Sequence, residues 1–114
     1  MNSRAPIHRS LAEGRWQTFS LAFQLANVGS EVGRALKAKQ EGRTDRMTAP
    51  LDRALELLDL TIADPKHRHR LKELCRLREV LCDFFLGDND YGSNPDVIDR
   101  YFLEFAVAAR NERT

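Results

Sequence analysis

His67 and His69, in the stretch DPKHRHRLKE, are the residues of this 114-residue chain whose type most suggests metal binding or proton transfer. On a helix, side chains two positions apart point about 160° away from each other, so the pair cannot converge on one ion there. Four neighbouring cations, Lys66, Arg68, Arg70 and Lys72, further oppose a dication. The stretch therefore reads as a solvated, basic helix start. Asp88, Asp90 and Asn94 have the oxygen-rich character of a calcium loop. The glycine and the closing bidentate glutamate of such a loop are absent, and turn formation with helix capping accounts for these residues. Cys75 and Cys82 lie seven positions apart. That puts them on one helix face but about 10 Å apart along the axis, beyond the reach of a disulfide. Both read as buried, reduced thiols, with no histidine close in sequence to activate them.

No phosphate-binding loop, dinucleotide fingerprint or zinc-protease motif occurs. Arg4 and His8 are separated by three residues, too few for the helical Arg-His site of HEPN ribonucleases. The sequence thus predicts no catalytic residue, no metal ligand and no cofactor, and the chain is expected not to be an enzyme.

The elements that would position any site are helical. Ser10-Leu11-Ala12-Glu13 has the form of a capping box, which predicts a first helix from Leu11 to about Gly42. Leu51, Ala54, Leu55, Leu58 and Ile62 recur at helical steps and define a second helix, starting either after Thr48 or near Thr44 with Pro50 inside it. Asp64-Pro65 predicts the cap and first residue of a third helix running to Leu86, with Gly87 at its C-terminus. GDNDYGSNPD is a loop, and Asn94-Pro95 opens a fourth helix ending near Arg110. No alternating strand pattern interrupts this order. The expected fold is all-α, an up-down-up-down four-helix bundle over residues 11–114 preceded by a flexible arm at 1–10.

Charge and hydropathy narrow the function classes. The net charge is +1, with 18 Lys and Arg against 17 Asp and Glu, so no global field draws the chain to nucleic acid or membrane. Fourteen of the 18 cations are arginine, which binds carboxylate and phosphate bidentately. No apolar run is long enough for a signal peptide or a membrane span, so a cytoplasmic protein without membrane contact is expected.

Within RWQTFSLAFQLANVGSEVGRAL, Leu21, Leu25, Val28, Val32, Ala35 and Leu36 share one face of the first helix and should line the core. Trp16, Phe19, Phe23 and Ala26 are also spaced by three and four, and in a continuous helix they face the opposite way. Either the chain itself surrounds this helix or a second subunit covers the aromatic stripe. Leu57, Leu60, Leu103 and Val107 lie off their own helices' main stripes in the same manner. Burying one large aromatic side chain is worth about 2–3 kcal/mol. A homo-oligomer interface through Trp16, Phe19, Phe23 and Ala26 is therefore expected. If the helices alternate in direction, Arg4, Arg9, Arg15, Lys66, Arg68, Arg70 and Arg110 gather at one pole, a surface suited to phosphate.

The segments WQTFSLAFQLANVGSEVGRAL, LDRALELLDLTIAD, LKELCRLREVLCDFF and YFLEFAVAAR together resemble bacterial four-helix-bundle proteins related to ribosomal-RNA intervening-sequence proteins. The resemblance extends to the accessory proteins of diversity-generating retroelements and is nearest to a conserved branch of cytosolic proteins. It implies a homopentameric ring, with RNA, DNA or a nucleic-acid enzyme as possible partners, and it carries no catalytic residue. The function expected from the sequence is a non-enzymatic, homo-oligomeric scaffold or adaptor. The alternative is a nucleic-acid-binding accessory protein that repeats its basic pole around the oligomer.

Overall fold

A computed structural model describes residues 14–112. The capping box, the arm at 1–10, Arg4, His8 and Arg9 lie outside the described residues. Four α-helices follow in chain order: α1 (Leu21–Gln40), α2 (Thr44–Ile62), α3 (Leu71–Leu86) and α4 (Pro95–Asn111). Two 3-10 segments, Arg15–Thr18 and Pro65–Arg70, precede α1 and α3, and there is no strand among the described residues. None of the helices is long and apolar enough to cross a membrane.

The expected continuous first helix is broken. Phe19 is extended, at φ −91° and ψ 152°, and the Ser20 Oγ accepts the Phe23 N–H at 3.1 Å. A serine that satisfies a free N–H in this way fixes a new helix start, so the phase counted through Trp16 does not carry into α1. The second helix begins at Thr44, upstream of the Thr48 cap, and contains Pro50 as a buried residue. The expected third helix is divided at Leu71: Arg70, just before it, sits at φ −115°, ψ 10°, and His67 leaves helical geometry at φ −101°, ψ 19° within the 3-10 segment. Asn94 caps α4 as its side chain accepts the Val97 N–H at 2.9 Å.

Helix α1 is the hub of the packing, lying along both α2 and α4, while α3 touches α2 more lightly. Leu25, Val28, Val32 and Ala35 from α1 meet Leu51, Ala54 and Leu58 from α2, and Leu74, Leu81 and Phe85 extend this core into α3. Arg53 on α2 donates to Glu31 on α1 at 3.1 Å, and Arg78 on α3 donates to Asp59 on α2 at 2.6 Å. Leu57 is buried, so its place off the main stripe of α2 does not expose it.

Helix α4 packs on α1 through a narrow face. Ile98 and Phe102 are its buried residues, Tyr101 and Phe105 are half-buried, and Val97 and Ala108 are exposed. Gly29 has no side chain to keep Phe102 away: a β-carbon built there would lie 2.7 Å from the Phe102 Cβ. At the other end of this pair the Ser20 Oγ donates to Glu112 at 2.7 Å.

Candidate functional site

The aromatic side chains that the sequence grouped as an outer stripe remain in ring contact with one another but differ in burial. Trp16 is 2% exposed and lies in the chain's own core, where its indole Nε1 donates to the Thr61 Oγ at 2.9 Å. The expectation that Trp16 faces outward is thus corrected, and the physical reason is the helix start at Ser20. Phe19 packs half-buried against the core, edge-on to Trp16 and 4.6 Å from the Phe23 ring. Phe23 and Ala26, which lie beyond the new helix start, do reach the surface.

There they border a groove between α1 and α4. Two hollows of about 380 and 320 Å³ share Ala26, Ser30 and Ala106. Phe23 and Arg110 line one end, and Leu103 with Arg100 lines the other. Leu103 is 59% exposed and Val107 46% exposed, one turn apart on α4. The expectation that these two lie outside the core holds.

A buried polar network closes the pole where the first 3-10 turn meets the second. Gln24 is fully buried. Its Nε2 shares its two hydrogens among the Trp16 carbonyl at 2.9 Å, the Phe19 carbonyl at 3.2 Å and the Asp64 carboxylate at 3.1 Å. With that nitrogen occupied as a donor, the Gln24 Oε1 is the acceptor toward His67 Nε2 at 2.8 Å, so Nε2 carries the ring proton. Asp64 also accepts from Lys66 Nζ at 2.7 Å, and the same Nζ donates to the Gln17 carbonyl at 2.6 Å. His67 is only 5% exposed, so the reading of this histidine as solvated is corrected: a partner 43 positions away draws it in. His69 is exposed, and among the described residues no group of His, Cys, Asp and Glu is arranged to hold a metal ion.

This network has a defined pH response. Burial lowers the proton affinity of His67, and Lys66, His69 and Arg70 lower it further, while nearby Asp64 offsets part of the effect. Burial alone would raise the Asp64 pKa, but hydrogen bonds from Lys66 and Gln24 outweigh it and hold the carboxyl below its ordinary value. For His67 the unfolded chain binds the proton first, from about pH 6.5 downward, so folding stability falls as pH drops through that value. Asp64 adds a second loss below its ordinary value of 3.8, as the carboxylate that the folded state favours becomes protonated. Urea midpoints for the native chain should therefore fall between pH 7.5 and pH 5.5, and His67→Gln should flatten that slope. An equal slope in the variant would place the effect elsewhere.

The basic pole forms only in part. Lys66 is engaged by Asp64 and Gln17, and Arg70 pairs with Glu73 at 2.9 Å while lying 5.8 Å from the Phe105 ring centre. Arg15, Arg68 and Arg110 are exposed, with no ion pair among the described residues. Cys75 is exposed and Cys82 half-buried, in contrast to the buried thiols expected, and Arg78 Nη1 lies 3.5 Å from the Cys82 sulfur. The Asp83 carboxylate accepts the Asp90 and Tyr91 N–H groups at 2.8 and 3.0 Å, fixing the turn after α3.

Comparison of the chain with protein-family models, with characterised proteins and with solved structures finds no match.

Proposed function

We propose that this chain is a cytoplasmic, non-enzymatic subunit of a homo-oligomeric scaffold, an up-down-up-down four-helix bundle whose copies meet along the α1–α4 groove. The observation that carries this reading is the pairing of a concave surface, floored by Ala26, Ser30 and Ala106, with the exposed Leu103 and Val107 beside it. Small residues allow a helix of a neighbouring subunit to approach closely, and exposed Leu and Val forfeit burial energy until something covers them. Phe23 and Ala26 belong to this interface, whereas Trp16 and Phe19 support it from inside. The sequence resemblance to pentameric bundles points the same way.

Light scattering and sedimentation at micromolar concentration should show an oligomer for the native chain. Leu103→Asp combined with Val107→Asp should give a monomer with unchanged helical circular dichroism, since neither side chain is part of the core. A native chain that is already monomeric at that concentration removes the proposal.

A second reading, nucleic-acid binding at the pole, has one observation in its favour: Arg15, Arg68 and Arg110 are exposed, with no carboxylate pairing them among the described residues. In the same preparation, RNA or DNA retention that weakens steeply with salt would support this reading, and no retention at low salt would reject it.

A further inference from the structure

The backbones of α3 and α4 approach each other less closely than those of α1 and α4, and the space between them is not filled. Leu77 and Val80 on α3 face Val97, Ile98 and Tyr101 on α4 across a cleft of about 220 Å³. A cavity of about 150 Å³ with an aliphatic and aromatic lining accepts benzene. On that scale this cleft takes an unbranched chain of roughly six to eight carbons. It is smaller than either hollow of the α1–α4 groove.

The mouth of the cleft carries a usable positive charge. Glu73 stands at the rim, but its carboxylate is already occupied: Arg70 Nη2 donates to Oε1 at 2.9 Å, and the Tyr101 hydroxyl donates to Oε2 at 2.7 Å. Burial would raise the Glu73 pKa, yet these bonds overcome that and keep it ionised and paired. Arg76, on the same rim, lies 5.3 Å from the Tyr91 ring centre and has no carboxylate partner among the described residues. A face of the ring leaves the guanidinium N–H groups at its edge free to donate. Lys72 borders the same shallow surface and adds to its charge.

We propose that the α3–α4 cleft binds a medium-chain carboxylate, with the apolar chain between Val80 and Ile98 and the headgroup on Arg76. The apolar wall supplies affinity in proportion to the chain length it covers, and the arginine fork matches a carboxylate bidentately.

The test is a titration of the isotope-labelled full chain with octanoate, followed by NMR. Saturable shifts should appear at Leu77, Val80, Val97 and Ile98, with a dissociation constant below about 1 mM. Butanoate should bind at least tenfold more weakly. Arg76→Gln should weaken octanoate about tenfold while leaving 1-octanol unchanged, and Arg76→Lys should recover part of the loss. This variant alters one exposed side chain, so folding is retained, and the unchanged 1-octanol response checks that the cleft is intact. Equal binding of octylammonium, shifts confined to the α1–α4 groove, or no saturable shift up to about 10 mM would each overturn the proposal. So would the finding that Val80→Asp dissociates an oligomer that octanoate cannot perturb, since the cleft would then belong to a second copy of the chain.

Discussion

Trp16→Ala is expected to lower the free energy of unfolding by about 3–5 kcal/mol, the range for removing a buried large aromatic side chain. The indole is 2% exposed, touches Phe19 edge-on and donates to Thr61, so its loss leaves both a void and an unanswered hydroxyl lone pair. Trp16→Phe separates these contributions. It retains most of the ring volume and gives up the hydrogen bond, a loss of about 0.5–1.5 kcal/mol. Urea denaturation of both variants measures the difference. Light scattering on the folded Trp16→Phe protein should show the native assembly state, since the residue lies inside its own chain. A Trp16→Ala protein of native stability but altered assembly state would instead restore the outward-facing indole that helical counting suggested.

The second large effect concerns Gly29. Any β-carbon there would lie 2.7 Å from the Phe102 Cβ and 2.9 Å from its Cγ, and neither atom belongs to the far end of a flexible chain. Gly29→Val should therefore push α4 from α1 and cost at least about 3 kcal/mol, combining overpacking with partial loss of the Phe102 burial. Gly33 lies one turn on in the same helix, and a β-carbon there meets nothing within 4 Å. Gly33→Ala should stabilise by up to about 1 kcal/mol, because alanine is the better helix former. Opposite signs in the two urea midpoints are the expected outcome. If Gly29→Val were neutral, the close approach of Phe102 to α1 would not exist in solution.

These two positions also show which parts of the molecule can be read from residues alone. Asn94-Pro95 marks a helix start because a cap and a proline act locally, and that cap forms as read, whereas Asp64-Pro65 caps only the 3-10 segment and the α-helix expected from it starts at Leu71. Gly29 in mid-helix signals a close neighbour, although nothing in the local pattern identifies Phe102 as that neighbour. Helical spacing places Trp16 outward only if the helix runs on through Ser20. The serine itself is the local signal that could have stopped the count, since it is a strong N-cap residue and its side chain binds the Phe23 N–H. His67 carried no such signal. Its surroundings in sequence are basic and polar, and only the distant Gln24 and Trp16 segments make its position a buried one. The outward Leu103 and Val107 could be read from periodicity, whereas the α3–α4 cleft could not, because it follows from how far apart two backbones lie.

The central place of α1 has a kinetic consequence. It meets α2 across a turn of three residues, Glu41 to Arg43, but Phe102 reaches Gly29 only after more than seventy intervening residues. Closing the longer loop costs about 3 kcal/mol more in chain entropy than closing the shorter one. A nascent α1–α2 hairpin therefore waits with its Gly29 face unoccupied until the last helix arrives. During that interval the face is open to the fourth helix of another copy, in competition with its own tethered one. Exchange of α4 between chains is thus the misassembly to which this connectivity is most open, and crowding of nascent chains on one message would favour it.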